Sequence, residues 1–130
     1  MIKLIAFDLD DTLYDEATFV ESGFLEVANF LAKKFDFNKK EVFKIIKQNY
    51  QQYGRGKVFN YALKQLKIKS TKSLIFKLIS VYRLHDPKIK TFPGIKPFLL
   101  SLKKKNIFLI LITDTRWSVQ FRKVKTLDIK

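Results

Sequence analysis

Three carboxylates and a threonine follow a short apolar run near the start of the chain. The run covers residues 4–7, and Asp8, Asp10, Asp11 and Thr12 come after it. Asp8 and Asp10 are two positions apart, so both side chains lie on the same side while the chain is still extended. Two carboxylates held together repel each other, and such a pair needs a cation, a shared proton or both. A hard divalent ion such as Mg²⁺ prefers oxygen ligands of this kind.

The strands that position these groups are predicted from two continuous apolar segments. Residues 2–7 are predicted to form a strand that is buried on both faces, as in a parallel sheet. A second segment of the same kind covers residues 107–112, and Thr113 follows it. Ligands of open α/β sheets bind just beyond the carboxyl ends of such strands. The acidic pair is therefore expected at a ligand-binding edge of the sheet.

Between the two strands, apolar residues recur at helical spacing. They predict four amphipathic helices between residues 17 and 90, which together form a small bundle. Asn38 is the expected N-cap of the second helix. Two further helices are predicted over residues 95–105, ended by Asn106, and over residues 117–127. We expect eight apolar side chains in the core of the bundle: Phe24, Leu31, Ile45, Ile46, Leu63, Leu66, Leu78 and Ile79.

The stretch Asp8-Leu9-Asp10-Asp11-Thr12 resembles the first motif of the haloacid dehalogenase (HAD) superfamily, DxDxT, which also follows an apolar strand. The resemblance implies that Asp8 is the nucleophile that becomes an aspartyl phosphate. It implies that Asp10 is the general acid and base, and that Asp8 and the Asp10 backbone carbonyl help to hold Mg²⁺. Carboxylates are suited to both roles. In this family an acid at the position of Asp10 indicates phosphoryl transfer rather than dehalogenation. An acidic turn that only caps or solvates a chain end is the alternative.

Thr113 and Asp114 resemble the second motif of the family, a Ser or Thr at the end of an apolar strand. By that resemblance the Thr113 hydroxyl binds a phosphoryl oxygen of the substrate, aided by the backbone N–H of Asp114. A short polar turn that leads into a helix N-terminus also suits an anion on physical grounds. Alternatively, Thr113 is an ordinary strand-end or helix-capping residue.

The order of the predicted elements resembles a HAD core with a helical cap inserted after the first motif, the C1 arrangement. The implied fold class is α/β, a HAD-like Rossmannoid core with an inserted helical-bundle cap. Residues 1–16 and 91–130 would form the partial core, and residues 17–90 the cap. Arg55 and Lys57 lie in the predicted cap and are candidates for contacting the phosphate or anionic tail of a substrate.

Two further motifs of the family have no match in these residues. The family has a Lys in its third motif and an acidic pair in its fourth, both well past the second strand. Lys123 and Lys125 come too early for the third motif and are expected on solvated helix faces. A HAD sheet has at least five strands, whereas this chain supplies two. We therefore expect a truncated or interrupted enzyme that is inactive alone and exposes an apolar sheet face. The partner expected for it is the missing C-terminal half.

Composition and charge exclude other classes of protein. The chain has 130 residues, is 47% apolar and contains no cysteine, which excludes disulfides and thiolate metal sites. No apolar run approaches the roughly 20 residues of a membrane helix. With no signal-like N-terminal region, a cytoplasmic location is expected.

The net charge of +14 is interpreted as general surface charge, which attracts anionic substrates. His85 has no partner pattern and is expected to be structural or solvated.

Two hypotheses of different class follow. The first is a Mg²⁺-dependent HAD-type phosphatase that acts on a small phosphate monoester, a phosphorylated metabolite, with neither nucleic acid nor membrane as a partner. The second is a non-catalytic HAD-derived fragment with a role in binding or assembly. A nucleic-acid-binding module ranks third, because the sequence contains no nucleic-acid reader motif and no basic–aromatic stripe.

Overall fold

The computed structural model describes residues 1–129 of the chain. Its elements follow the predicted order of a strand, four helices, a fifth helix, a second strand and a last helix. In chain order they are β1 (Leu4–Phe7), α1 (Glu16–Phe35), α2 (Lys39–Tyr53), α3 (Val58–Gln65), α4 (Lys72–Leu84), α5 (Ile95–Lys104), β2 (Phe108–Leu111) and α6 (Trp117–Leu127). The α/β fold class predicted from the sequence is thereby confirmed.

The chain divides into two compact units. The sheet unit contains Met1–Phe19 and Asp86–Lys130, and the helical unit contains Val20–His85. The division into a catalytic core of residues 1–16 and 91–130 and a cap of residues 17–90 stays a prediction. Within the described residues, none of the helices combines the length and the apolar character needed to span a membrane.

The helical unit has a continuous apolar core. All eight side chains predicted for this core belong to one packed cluster, in which Phe24, Leu31, Ile46, Leu63 and Leu78 are buried and Ile45, Leu66 and Ile79 are partly buried. The helix ends are also set locally. Asn38 accepts hydrogen bonds from the backbone N–H groups of Lys40 and Glu41, which makes it the N-cap of α2. Gly54 ends the same helix with φ of 73°, a conformation that favours glycine.

The sheet unit contains a two-stranded parallel sheet. Leu4 is opposite Phe108 and Phe7 is opposite Leu111, and the Ile112 N–H donates to the Phe7 carbonyl at 2.8 Å. Helix α5 packs against the sheet, since the ring of Phe98 meets the ring of Phe7 edge-on with centroids 6.3 Å apart.

The expectation that both strands are buried on both faces is wrong for the described residues. Exposure alternates along each strand, and on the open face Leu4 is 52% exposed, Phe108 73% and Ile110 44%. The physical reason is coverage: α5 packs against one face, and no other described element shields the second. An apolar face open to solvent was expected for a sheet with so few elements around it.

Candidate active site

The carboxyl ends of β1 and β2 lie side by side. The two strands are parallel and in register, so the residues that follow them leave the sheet at the same edge. Asp8 directly follows β1, and Thr113 comes two residues after β2. This edge of the sheet is where the sequence predicts the acidic site.

Asp8 is exposed to solvent. Among residues 1–129, no side chain or backbone group forms a hydrogen bond or ion pair with its carboxylate. The carboxylate is therefore available to an incoming ligand without the loss of an internal contact.

Asp10 has the opposite environment, because both of its carboxylate oxygens accept hydrogen bonds from the protein. The Lys123 ammonium donates to Oδ1 at 2.6 Å, and the Tyr14 hydroxyl donates to the same oxygen. The Gln120 amide donates to Oδ2 at 2.9 Å. Asp10 is thus held in one orientation by three side chains.

Tyr14 reaches Asp10 because the chain turns back directly after β1. The Leu9 carbonyl accepts from the N–H groups of Thr12 and Leu13, and Asp11 adopts a left-handed conformation with φ of 57°. Aspartate tolerates this conformation better than most residues do. The turn buries Tyr14 completely and aims its hydroxyl at the carboxylate four residues earlier.

Helix α6 supplies the other two donors from one buried face. Val119, Gln120, Lys123 and Leu127 are all buried and share this face. The expectation that Lys123 is solvated is wrong: the residue is 3% exposed. Its ammonium lies 4.3 Å from the ring centroid of Phe19 and forms an ion pair with Asp10. These two contacts offset the cost of removing the charge from water. The neighbouring Lys125 is exposed, as predicted.

These contacts shift two pKa values. Burial by itself would raise the pKa of Asp10, but the hydrogen bonds from Lys123, Tyr14 and Gln120 and the charge of Lys123 outweigh burial and lower it below the ordinary value of 3.8. Burial raises the pKa of Tyr14, and its hydrogen bond to the Asp10 carboxylate raises it further. At neutral pH the pair is therefore an ionised carboxylate and a neutral phenol.

Gln120 connects the two strand ends. Its Nε2 donates to the Thr113 hydroxyl as well as to Asp10. Its Oε1 is buried and has no hydrogen-bond partner within the described part of the chain. The structure thus brings together Asp10 and Thr113, which the sequence places in the same site. Asp114, the remaining residue predicted here, is exposed next to Thr113.

Arg55 and Lys57 belong to the helical unit. They are exposed and lie in the turn between α2 and α3. His85 is also in this unit and is buried. One of its ring nitrogens lies 2.6 Å from the Tyr82 carbonyl and the other 3.0 Å from the Ser22 hydroxyl. His85 is structural in this arrangement, which is one of the two alternatives expected from the sequence.

The oxygen atoms that could hold a metal ion come from Asp8 and Asp10. Residues 1–129 contain no group of three or more His, Cys, Asp or Glu side chains arranged around a common point. The open carboxylate of Asp8 suits a hard cation. The carboxylate of Asp10 is already engaged by three donors, so its backbone carbonyl is the more suitable ligand.

Three side chains of the site were not predicted from the sequence: Tyr14, Gln120 and Lys123. A signal for the last two was present, because positions 119, 120, 123 and 127 form one stripe of a helix. Lys123 therefore falls between Val119 and Leu127 on the apolar face, where a lysine needs a partner.

Comparison with known proteins places these observations in a family. Residues 5–130 match the model of the haloacid dehalogenase-like hydrolases. Two similar curated proteins are named glyceraldehyde 3-phosphate phosphatase. The one from Methanopyrus kandleri is 24% identical over 137 residues, and the one from Pyrococcus furiosus is 28% identical over 136 residues. The alignments cover 99% and 98% of this chain but 58% and 55% of the relatives. The chain thus spans little more than half the length of these curated relatives.

A solved structure shares the fold. The haloacid dehalogenase-like family hydrolase from Xanthomonas campestris is 17% identical and has a TM-score of 0.50, over 97% of this chain and 56% of the other. The match of the family model over residues 5–130, which includes the first motif at the end of β1, shows that the chain belongs to the haloacid dehalogenase-like hydrolases.

Proposed function

We propose that the protein is a phosphatase that hydrolyses a small phosphate monoester through a phosphorylated Asp8. One observation carries the proposal. Asp8, an exposed carboxylate without a partner among residues 1–129, follows the same strand as Asp10, a second carboxylate that Gln120 links to Thr113. A nucleophile must be open to its substrate, whereas a group that transfers protons must be held in place. The two carboxylates meet these opposite requirements.

The reaction has two halves. In the first, an Asp8 oxygen attacks phosphorus, the bond from phosphorus to the ester oxygen breaks, and Asp10 gives a proton to the departing alcohol. In the second, water attacks phosphorus, Asp10 takes a proton from that water, and the bond from phosphorus to Asp8 breaks. Phosphate leaves and both carboxyl groups return to their initial states. The lowered pKa of Asp10 favours the ionised form, which suits the second half. The first half requires the protonated form, which the negative charge of a bound phosphate group favours.

Two groups of residues are proposed to bind ligands. Thr113 and the backbone N–H of Asp114 would bind the phosphoryl oxygens. Asp8 and the Asp10 carbonyl would hold Mg²⁺, which offsets the charge between the nucleophile and the phosphate. The negative Asp8 carboxylate and the phosphate would otherwise repel each other.

The relatives suggest the class of substrate. Both are named for a phosphatase that acts on glyceraldehyde 3-phosphate, so we propose a small phosphorylated metabolite of similar size. In this proposal the sheet unit is the catalytic core and the helical unit is the cap, with Arg55 and Lys57 as candidate contacts to the substrate. The net charge of +14 assists the capture of an anion. A cytoplasmic location stays a prediction.

A binding or assembly role is the second candidate, and the open face of the sheet favours it. Leu4, Phe108 and Ile110 form an apolar patch there, and patches of this kind mark contact surfaces. In that case the acidic site would be a remnant without turnover.

The two candidates are separated by an assay of the full natural protein that carries this chain. The substrates are para-nitrophenyl phosphate and glyceraldehyde 3-phosphate with millimolar Mg²⁺, and the variants are Asp8→Asn and Asp11→Asn. Asp11 is the matched control, since it is an exposed acid in the same turn. We expect turnover in the wild type and in Asp11→Asn, and none in Asp8→Asn. Full activity in Asp8→Asn, or no activity in the wild type, would contradict the proposed function.

A further inference from the structure

The donors around Asp10 differ from those expected of a general acid and base that is simply open to solvent. Oδ1 accepts two hydrogen bonds, from Lys123 and Tyr14, and Oδ2 accepts one, from Gln120. A carboxylate has about four sites for hydrogen-bond donors. Both sites of Oδ1 are therefore filled, and Oδ2 has one site left.

Lys123 is held as firmly as the carboxylate it contacts. Its side chain is 4% exposed, and its ammonium lies over the rings of Phe19 and Tyr14, 4.3 and 5.8 Å from their centroids. A lysine on the surface samples many rotamers, whereas this one is confined by the rings. Its charge is therefore directed at a single oxygen, Asp10 Oδ1.

Gln120 sets the spacing of the site. The same Nε2 donates to Asp10 Oδ2 and to the Thr113 hydroxyl. The buried Gln120 amide thus fixes the position of Asp10 Oδ2 relative to the Thr113 hydroxyl at the end of β2. Asp10 Oδ2 is the oxygen that has a hydrogen-bond site left. Gln120 and Lys123 are three positions apart on α6, so one face of this helix determines both the orientation of Asp10 and its distance from Thr113.

We propose that Lys123 and Gln120 are positioning residues for Asp10, which hold its carboxylate so that Oδ2 is the oxygen that exchanges the proton with the ester oxygen. The inference rests on the proposed function and deepens it. It assigns to α6 a task beyond packing within the sheet unit. Neither residue touches the reacting atoms: Lys123 acts through Asp10, and Gln120 acts through Asp10 and Thr113.

The test depends on how much each substrate needs a proton from the enzyme. The alkoxide leaving group of glycerol phosphate must be protonated as it departs, whereas para-nitrophenolate leaves without a proton. The value of kcat/KM reports only the steps up to the first irreversible one, which include transfer of the phosphoryl group to Asp8. The full natural protein is compared with Lys123→Met, Lys123→Arg and Gln120→Met, and with Lys125→Met, an exposed lysine of the same helix, as the control.

We expect Lys123→Met and Gln120→Met to lower kcat/KM for glycerol phosphate on the order of 10²-fold, the usual size of a general acid–base contribution. The value for para-nitrophenyl phosphate should change far less. Lys123→Arg, which keeps the charge, should recover part of the loss, and Lys125→Met should behave as the wild type. If Lys123→Met does not fold, Gln120→Met provides the comparison between the two esters.

Equal losses on both esters would show that the two residues only maintain the structure and would overturn the inference. Unchanged values for both esters would overturn it as well. A wild type that hydrolyses neither ester would contradict the proposed function itself, and the inference would fall with it. Equal losses or unchanged values beside an active wild type therefore contradict the inference alone, whereas an inactive wild type contradicts the proposed function.

Discussion

The helical unit and the sheet unit bury polar groups in different ways. In the helical unit, the Asn49 amide donates to the Ile45 carbonyl and to the Gln65 side chain, which are neutral groups beside a large apolar core. In the sheet unit, the buried Lys123 forms an ion pair with Asp10, 113 positions away in the chain.

We infer from this difference that burial serves stability in the helical unit and serves the proposed site in the sheet unit. A neutral hydrogen bond inside a helical core costs little once it is satisfied. A buried ion pair rarely stabilises a protein more than apolar residues of the same volume would. The pair between Lys123 and Asp10 is therefore better explained by the requirements of the site than by the stability of the fold.

The largest effect is expected when the proton carrier is removed and the fold is kept. Asp10→Asn should lower the turnover of an alkyl phosphate by the full natural protein on the order of 10²–10⁴-fold, because the amide cannot exchange the proton. The measurement is kcat by phosphate release, with circular dichroism as a check on folding. Turnover equal to that of the wild type would remove Asp10 from the mechanism.

The next effect concerns the helical unit and changes stability. Leu31→Ala should lower the free energy of unfolding by about 3 kcal/mol, because Leu31 is fully buried in the core cluster and the change leaves a cavity. Urea denaturation measures the loss. The exposed Phe76 on α4 provides the control, and Phe76→Ala should have little effect. Similar losses in both variants would contradict the core described here.

A smaller effect, dependent on pH, is expected in the sheet unit. Lys123→Met removes the partner of a partly exposed carboxylate and should cost about 2 kcal/mol at neutral pH, less than for a fully buried pair. The folded-state pKa of Asp10 lies below its ordinary value of 3.8. The contribution of the ionised Asp10 carboxylate to the free energy of unfolding is therefore present above its ordinary pKa of 3.8. This contribution is lost as the pH falls through the folded-state pKa.

The difference in unfolding free energy between the wild type and Lys123→Met should accordingly shrink below about pH 4. Urea denaturation at a series of pH values tests this, with Lys125→Met as the control. A difference that stays constant over the whole range would show that the ion pair does not contribute to stability.

The two units also differ in how far the sequence predicts them. Helical spacing was sufficient for the core of the helical unit, because apolar periodicity determines which face of a helix is buried. Helix α2 begins at Asn38 and ends at Gly54 through hydrogen bonds with near neighbours, and such contacts can be inferred from a local stretch. The strand ends and the placement of Asp8 and Thr113 followed from the same kind of local pattern.

The contacts of Asp10 could not be inferred in this way. Lys123 is in a chain rich in lysines, and an ion pair over 113 positions depends on how α6 returns to the sheet. The turn that aims Tyr14 at Asp10 depends on a left-handed Asp11, which the sequence allows but does not require. Burial of both faces of the sheet was predicted from two continuous apolar segments, and such segments do not specify which elements cover a face.

The most direct test of the account is to locate the phosphoryl group during turnover. The full natural protein is mixed with Mg²⁺ and para-nitrophenyl phosphate, whose leaving group needs no proton from Asp10. The sample is quenched in acid and digested, and the peptides are examined by mass spectrometry. We expect the mass of one phosphoryl group on the peptide that contains Asp8, in larger amount in Asp10→Asn, because hydrolysis of the intermediate then lacks its base. A phosphoryl group on a different residue, or turnover that persists in Asp8→Asn without a phosphorylated peptide, would contradict the assignment of an open Asp8 as nucleophile and a held Asp10 as proton carrier.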